Sequence, residues 1–162
     1  MKKNRYLVLL FLLVWCCSSC GNFPKDPENT LENVTNGTLL VGYSENPPWV
    51  VASDSVPTGI EPELIKAFAT TINAKVAWQN DTEQNLFEDL EKKKIHLVIA
   101  GITKSNPWKK KVGLTRVYVQ QGKKKHVIAA IRGENAFIVH LERFLYEREQ
   151  QLKKRVQHEE VK

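Results

Sequence analysis

Cysteine is scarce. The chain holds three, Cys16, Cys17 and Cys20, all within its first twenty residues. Everything after Cys20 therefore lacks a disulfide, and lacks a thiol for catalysis or metal binding. Other signatures are missing too. There is no phosphate-binding glycine motif, no nucleophile elbow and no internal repeat. No Cys/His pair has metal-ligand spacing. The four histidines, His96, His126, His140 and His158, stand alone and read as surface or strand-end residues. Acid is absent from the first nineteen residues, where Lys2, Lys3 and Arg5 carry part of the formal net charge of +6. The charge left for the rest is too small to argue for nucleic acid. No cofactor is expected. No apolar run reaches the ~20 residues that a membrane span needs.

What is present begins with a leader. MKKNR precedes an apolar run from Tyr6 to Trp15, and Cys17, Ser18 and Ser19 are small. That is the layout of a secretory signal peptide over residues 1–19. The residues before Cys20 resemble a bacterial lipobox, although Cys17 stands where Leu is usual. Cys20 is then the lipidated residue, and the product is anchored in the cell envelope on the periplasmic or extracellular side. Residues 20–36 are polar, contain Pro24 and Pro27, and read as a flexible tether. An exported domain without disulfides relies on its own core. The composition, 42% hydrophobic and 26% charged, suits one globular domain.

The central stretch is HLVIAGITKSNPW, residues 96–108. Leu97 to Ala100 is a continuous apolar run, as in a parallel strand covered on both faces. Gly101 lets the backbone pass close to a neighbour. Thr103, Ser105 and Asn106 follow, and Pro107 marks a helix start behind an Asn or Ser cap. The stretch reads as strand, hydroxyl-lined turn and helix N-terminus, a place for a polar ligand or for an ordinary capped turn.

Around it, Thr38–Tyr43 is a strand. SENPPWV is a loop in which two prolines hold Trp49 extended. Pro62 opens a helix with Leu64, Ile65, Phe68, Ala69 and Ile72 on one face. Lys75 to Gln79 is a strand, and Asp81 with Gln84 starts the next helix, which buries Leu86, Phe87 and Leu90. The order βαβαβ predicts a mostly parallel sheet with helices on both faces. A hairpin spans Gln121 to Lys125. A last helix follows Gly133 and Asn135, with Phe137, Leu141, Phe144, Leu145 and Leu152 on one face. Residues 147–162 form a charged tail with the pattern of a solvated helix. No acid/base pair stands out among Glu45, Glu61 and Glu63, so an enzyme is not expected.

Five segments in order resemble the bacterial extracellular solute-binding proteins of family 3. They are GTLLVGYSENPPWV, GIEPELIKAFA, FEDLEKKKIHLVIAGIT, NPWKKKVGLTRVYV and HVIAAIRGENAFIVHLERFL. These are two-lobed receptors for amino acids and similar solutes that feed ABC transporters. The resemblance implies an α/β fold: a single periplasmic-binding-protein-like lobe, residues 37–146, with one antiparallel return strand. It implies a small amino-acid-like or flat solute, and an ABC permease or another envelope protein as partner. It places Gly101, Thr103 and the following helix start at the solute's carboxylate, Trp49 over the solute, and Glu61 at an acidic position at the head of the first helix; from the residues alone Trp49 also reads as a core or lid aromatic and Glu61 as a cap on its own helix. Where many members carry a carboxylate-gripping Arg, this chain has Trp108, a second stacking platform. TRVYV matches the exit to the second lobe and HVIAAIRGEN the return. Only QQGKKK joins them, so the second lobe is missing. The remaining lobe is either a binding module or a remnant without transport activity.

Overall fold

The computed structural model describes residues 24–160. The expected signal peptide and Cys20 lie outside the described residues. Among those described, no helix is long and apolar enough to cross a membrane.

The sheet is built as its periodicity dictates. β1 (Thr38–Tyr43) pairs parallel with β2 (Lys75–Asn80) on one side and with β3 (Leu97–Ile99) on the other. β7 (Ala129–Ala130) runs antiparallel between β3 and β4 (Gly113–Leu114), giving the order β2-β1-β3-β7-β4. β3 thus sits at the centre and is buried throughout, as its unbroken apolar run requires. Side chains alternate between faces. Leu39, Val41, Leu97, Ile99 and Ala130 enter one core cluster, and Val98, Ala100 and Ala129 the other.

Helices cover both faces. α2 (Ile60–Thr71) and α4 (Asn135–Glu147) bring Ile65, Phe68, Phe137 and Leu141 to the first cluster. α3 (Glu83–Glu91) lays Leu86, Phe87 and Leu90 on the second. It approaches so closely that a Cβ on Gly42 would lie 2.6 Å from Leu86 Cδ2. The architecture is α/β with one antiparallel return strand in a mostly parallel sheet.

Four details depart from the sequence reading. The α3 cap is Thr82, whose side chain accepts from Asn85 N–H; Asp81 holds Thr82 N–H and the Asn85 amide. After Pro107 there is one 3-10 turn, Pro107–Lys110, because β4 must begin at Gly113 to pair with β7. Residues from Lys25 onward, expected as tether, are docked. Asp26 accepts from Phe137 N–H at 3.1 Å and Leu31 N–H at 2.9 Å, and Glu134 accepts from the N–H of Glu28 and Thr30. α1 (Thr30–Val34) then buries Val34 completely. Finally, the charged segment is a second helix, α5 (Glu149–Glu160), which packs Leu152 and Val156 into the first cluster. Its ion pair from Arg155 to Glu63 ties it to α2.

Candidate functional site

The parallel strands β1 and β3 end on the same side, and the loops that follow them meet there. After β3 the backbone turns at Gly101 with φ +63. That conformation favours glycine. A Cβ at this position would lie 2.7 Å from both Trp49 Cδ1 and Asn46 Nδ2. The close approach expected at Gly101 is therefore made by the SENPPWV loop. Asn46 donates to Ala100 O at 2.7 Å, and the carbonyls of Pro48 and Trp49 accept from Ile60 and Glu61 N–H.

Beneath the turn lies a buried polar network. Glu61 is fully enclosed. One of its carboxylate oxygens accepts from Gly101 N–H at 2.8 Å and the other from the Tyr118 hydroxyl at 2.6 Å. Burial pushes its carboxyl up to about 7, against the downward pull of those two hydrogen bonds. Burial, then the Glu61 charge, raises the Tyr118 phenol well above its usual value. Glu61 thus clamps the turn after β3 to the strand-like segment ahead of the hairpin, and caps no helix.

The hairpin, β5 (Val119–Gln121) and β6 (Lys124–His126), folds over this network. Thr103 bridges His126, Lys104 N–H donates to Lys125 O at 2.9 Å, and Val127 N–H donates to Ile102 O. The His126 ring stacks on Trp49 with centroids 3.8 Å apart, and Tyr118 meets Trp49 edge-on at 6.3 Å. His126 Nδ1 lies 3.1 Å from Gly101 O, while Nε2 is buried without a partner among the described residues. Burial lowers the pKa of this imidazole, and the nearby Lys124 charge lowers it further. A neutral ring with Nδ1–H donating to Gly101 O leaves Nε2 as a bare acceptor, the less costly orphan.

The residues implied by the resemblance are therefore placed unequally. Gly101 and Thr103 form the turn, as read. Trp49 is only 4% exposed and, with Glu61, lies under the hairpin. Trp108 belongs to the other core cluster. It stacks on Phe87 at 5.5 Å with Lys111 over its ring, and does not meet Trp49. Open space at this end is bounded instead by Thr103, Lys104, Ser105, Lys123, Lys124 and Lys125, around a cavity of about 350 Å³. Tyr118, His126 and the hairpin lysines were not singled out by sequence. KKK in a short connection reads as a solvated loop until its pairing with Thr103–Lys104 is seen. A second groove, about 340 Å³, runs between Val117 and the exposed Val139 and Tyr146 of α4. No cluster of three metal-ligating side chains occurs among the described residues.

The family model described as bacterial extracellular solute-binding proteins, family 3, matches residues 39–158. Among solved structures, a point mutant of the arginine-bound form of domain 1 from TmArgBP is similar with TM-score 0.67 and 25% identity. The match covers 74% of this chain and 97% of that one. The ancestral amino acid-binding protein AncCDT-1, a precursor of cyclohexadienyl dehydratase, aligns with TM-score 0.69 at 15% identity, over 80% and 98% of the two chains. An arginine-specific periplasmic binding protein of Salmonella typhimurium aligns with TM-score 0.63 at 13% identity, over 75% and 98%. No curated protein sequence matches.

Proposed function

The chain belongs to the bacterial extracellular solute-binding proteins, family 3, and from that membership we propose that it is a lipid-anchored, extracytoplasmic solute-binding lobe. In this reading Cys20 carries the lipid and the lobe holds a small, amino-acid-like solute for an ABC permease or another envelope protein. The solute sits at the carboxyl end of β3, against Gly101, Thr103 and the residues facing them. One observation carries the reading. The polar turn after the central strand borders an open cavity, with a hairpin where the family's second lobe would be entered. The isolated first domain of TmArgBP, which this lobe resembles over nearly its whole length, is described as arginine-bound, so a single lobe of this kind is able to hold a solute.

In this reading the turn and the hairpin act together. Thr103 and Ser105 offer hydroxyls, and the hairpin supplies the opposite wall. Trp49 and Glu61 act from below, Trp49 by filling the space under Gly101 and Glu61 by fixing that residue's N–H.

A thermal-shift screen of the full chain against small amino acids and organic acids tests this. At least one solute should give a saturable rise that Thr103→Val with Ser105→Ala weakens. Absence of any saturable shift would leave the second reading, a remnant lobe without transport activity. The burial of Trp49 and Glu61 under the hairpin favours that alternative.

A further inference from the structure

The cavity beside the turn is walled by charge of one sign. Of its six lining residues four are lysines, Lys104, Lys123, Lys124 and Lys125, and none is acidic. Five lysines elsewhere, Lys92, Lys93, Lys94, Lys111 and Lys153, each reach a carboxylate within 3.5 Å. The four at the cavity have no ion-pair partner among the described residues.

Their spacing is fixed by backbone. The Thr103–His126 bridge and the Lys104 N–H to Lys125 O bond set Lys104 opposite Lys125. The tip at Gly122, with φ +56, brings Lys123 and Lys124 back beside them. Like charges placed opposite each other across strands destabilise a pairing. An anion between them converts that repulsion into charge-assisted hydrogen bonds. The remaining two lining residues fit the same ligand. Thr103 Oγ1 and Ser105 Oγ are 3.0 Å apart. Whichever donates to the other, the acceptor keeps its own O–H free to donate outward.

We infer that the solute of this lobe is a small anion carrying at least two negative charges, gripped between the Thr103–Ser105 hydroxyls and the Lys104–Lys125 wall. This rests on the solute-binding reading above and sharpens it. The structurally similar domain named for arginine holds a cation, and a guanidinium would face four ammonium groups here with no carboxylate to meet it.

The test is thermal shift and calorimetry on the full chain with inorganic phosphate, glutarate and arginine, at one ionic strength held with sodium chloride. Phosphate or glutarate should give a saturable shift, and arginine none. Lys104→Ala with Lys125→Ala should weaken anion binding at least tenfold, and so should Lys123→Ala with Lys124→Ala. All four positions are exposed apart from their backbone bonds, so the variants should fold, as melting without ligand at or above the parent's will show. A saturable arginine shift with silent anions overturns the anion assignment and leaves solute binding standing. Silence from all three solutes, and from the wider screen, overturns both. An anion shift that survives in the lysine variants, or that sodium chloride alone reproduces, also overturns the assignment. So does binding to phosphatidylglycerol vesicles, but not phosphatidylcholine ones, without any response to free anions, since that marks general attraction to an acidic surface.

Discussion

Glu61 holds the turn after β3 in place, and it does so at the expense of a pH-dependent charge. Unfolded, its carboxyl titrates near 4.5; folded, burial moves it to about 7. The native state therefore binds the proton more tightly than the unfolded one. The resulting stabilisation is complete below about 4.5, is lost as pH rises toward 7, and is absent above that. The gap is on the order of 3 kcal/mol between those limits, at 1.36 kcal/mol per unit. Glu63 and Asp89 are shifted the other way, Glu63 by its bond with Arg155 and Asp89 by its bond with Gln79. Their contributions fade only as pH falls through the ordinary carboxylate range, a separate window. Glu61→Gln keeps an oxygen for Gly101 N–H and an amide for the Tyr118 oxygen, and it cannot titrate. Urea midpoints of this variant should lose the parent's fall toward pH 7, keeping only the opposite, rising contribution of His96 and His126, whose pKa values burial lowers, and at pH 8 should equal or exceed those of the parent. A parent-like slope in the variant would show that another group sets the pH dependence. Gly101→Ala tests the same corner sterically. Its φ of +63 and the Trp49 and Asn46 contacts at 2.7 Å predict a loss of about 2–4 kcal/mol from left-handed strain plus overpacking, read as a lower urea midpoint with the slope unchanged.

At the scale of elements, two pieces hold the lobe together that the sequence pattern presents as a charged tail and a tether. α5 is outwardly a charged helix, yet Leu152 and Val156, one helical turn apart, reach the first core cluster. Leu152→Ala should cost about 2–4 kcal/mol, the range for a buried leucine whose site relaxes only in part. Lys153→Ala, one residue on, should change stability by less than about 0.5 kcal/mol, because it removes only an exposed i,i+4 pair with Glu149. Equal costs would mean that the helix is frayed in solution. The segment before α1 is the other case. Asp26 caps α4 from more than a hundred residues away, and Asp26→Ala should lower stability by about 1–2 kcal/mol, as for a lost cap. These contrasts explain what was legible. β1 and β3 were readable because burial on both faces writes itself as an unbroken apolar run. The buried faces of α2 and α3 were readable because their spacing is local. The Asp26 and Glu134 bonds are set by tertiary contact between distant segments, and no local pattern encodes them. In α5 Leu152 was readable as part of the last apolar face, while Val156 was outvoted by the charges around it. At the site, Gly101 and Thr103 were readable from the strand-turn signal. The Tyr118–Glu61 bond and the His126–Trp49 stack were not, since they depend on how a short hairpin folds back.

The whole molecule differs from a two-lobed receptor in the step that makes such receptors work. Two lobes bind by hinge closure, which buries the solute and changes the outline of the protein. Here the second lobe's place is taken by the β5–β6 hairpin, and that hairpin is already down. His126 lies against Trp49, Tyr118 is bonded to Glu61, and Thr103 is bridged to His126. The lobe is thus built in one closed arrangement at its base, with the lysine-lined cavity outside it. Binding should then proceed on a largely preformed surface. Small-angle scattering of the full chain should give the same radius of gyration with and without saturating solute. Trp49, sealed beneath the hairpin, should keep its shielding from iodide quenching in both states. A shrinkage on binding would show a hinge motion and overturn the preformed surface. A rise in Trp49 accessibility would mean that the hairpin lifts and that the solute takes the place of the His126 ring. Single-Trp variants that keep only Trp49 separate these outcomes, because Trp108 and Trp78 are partly exposed and would respond to solvent in any case.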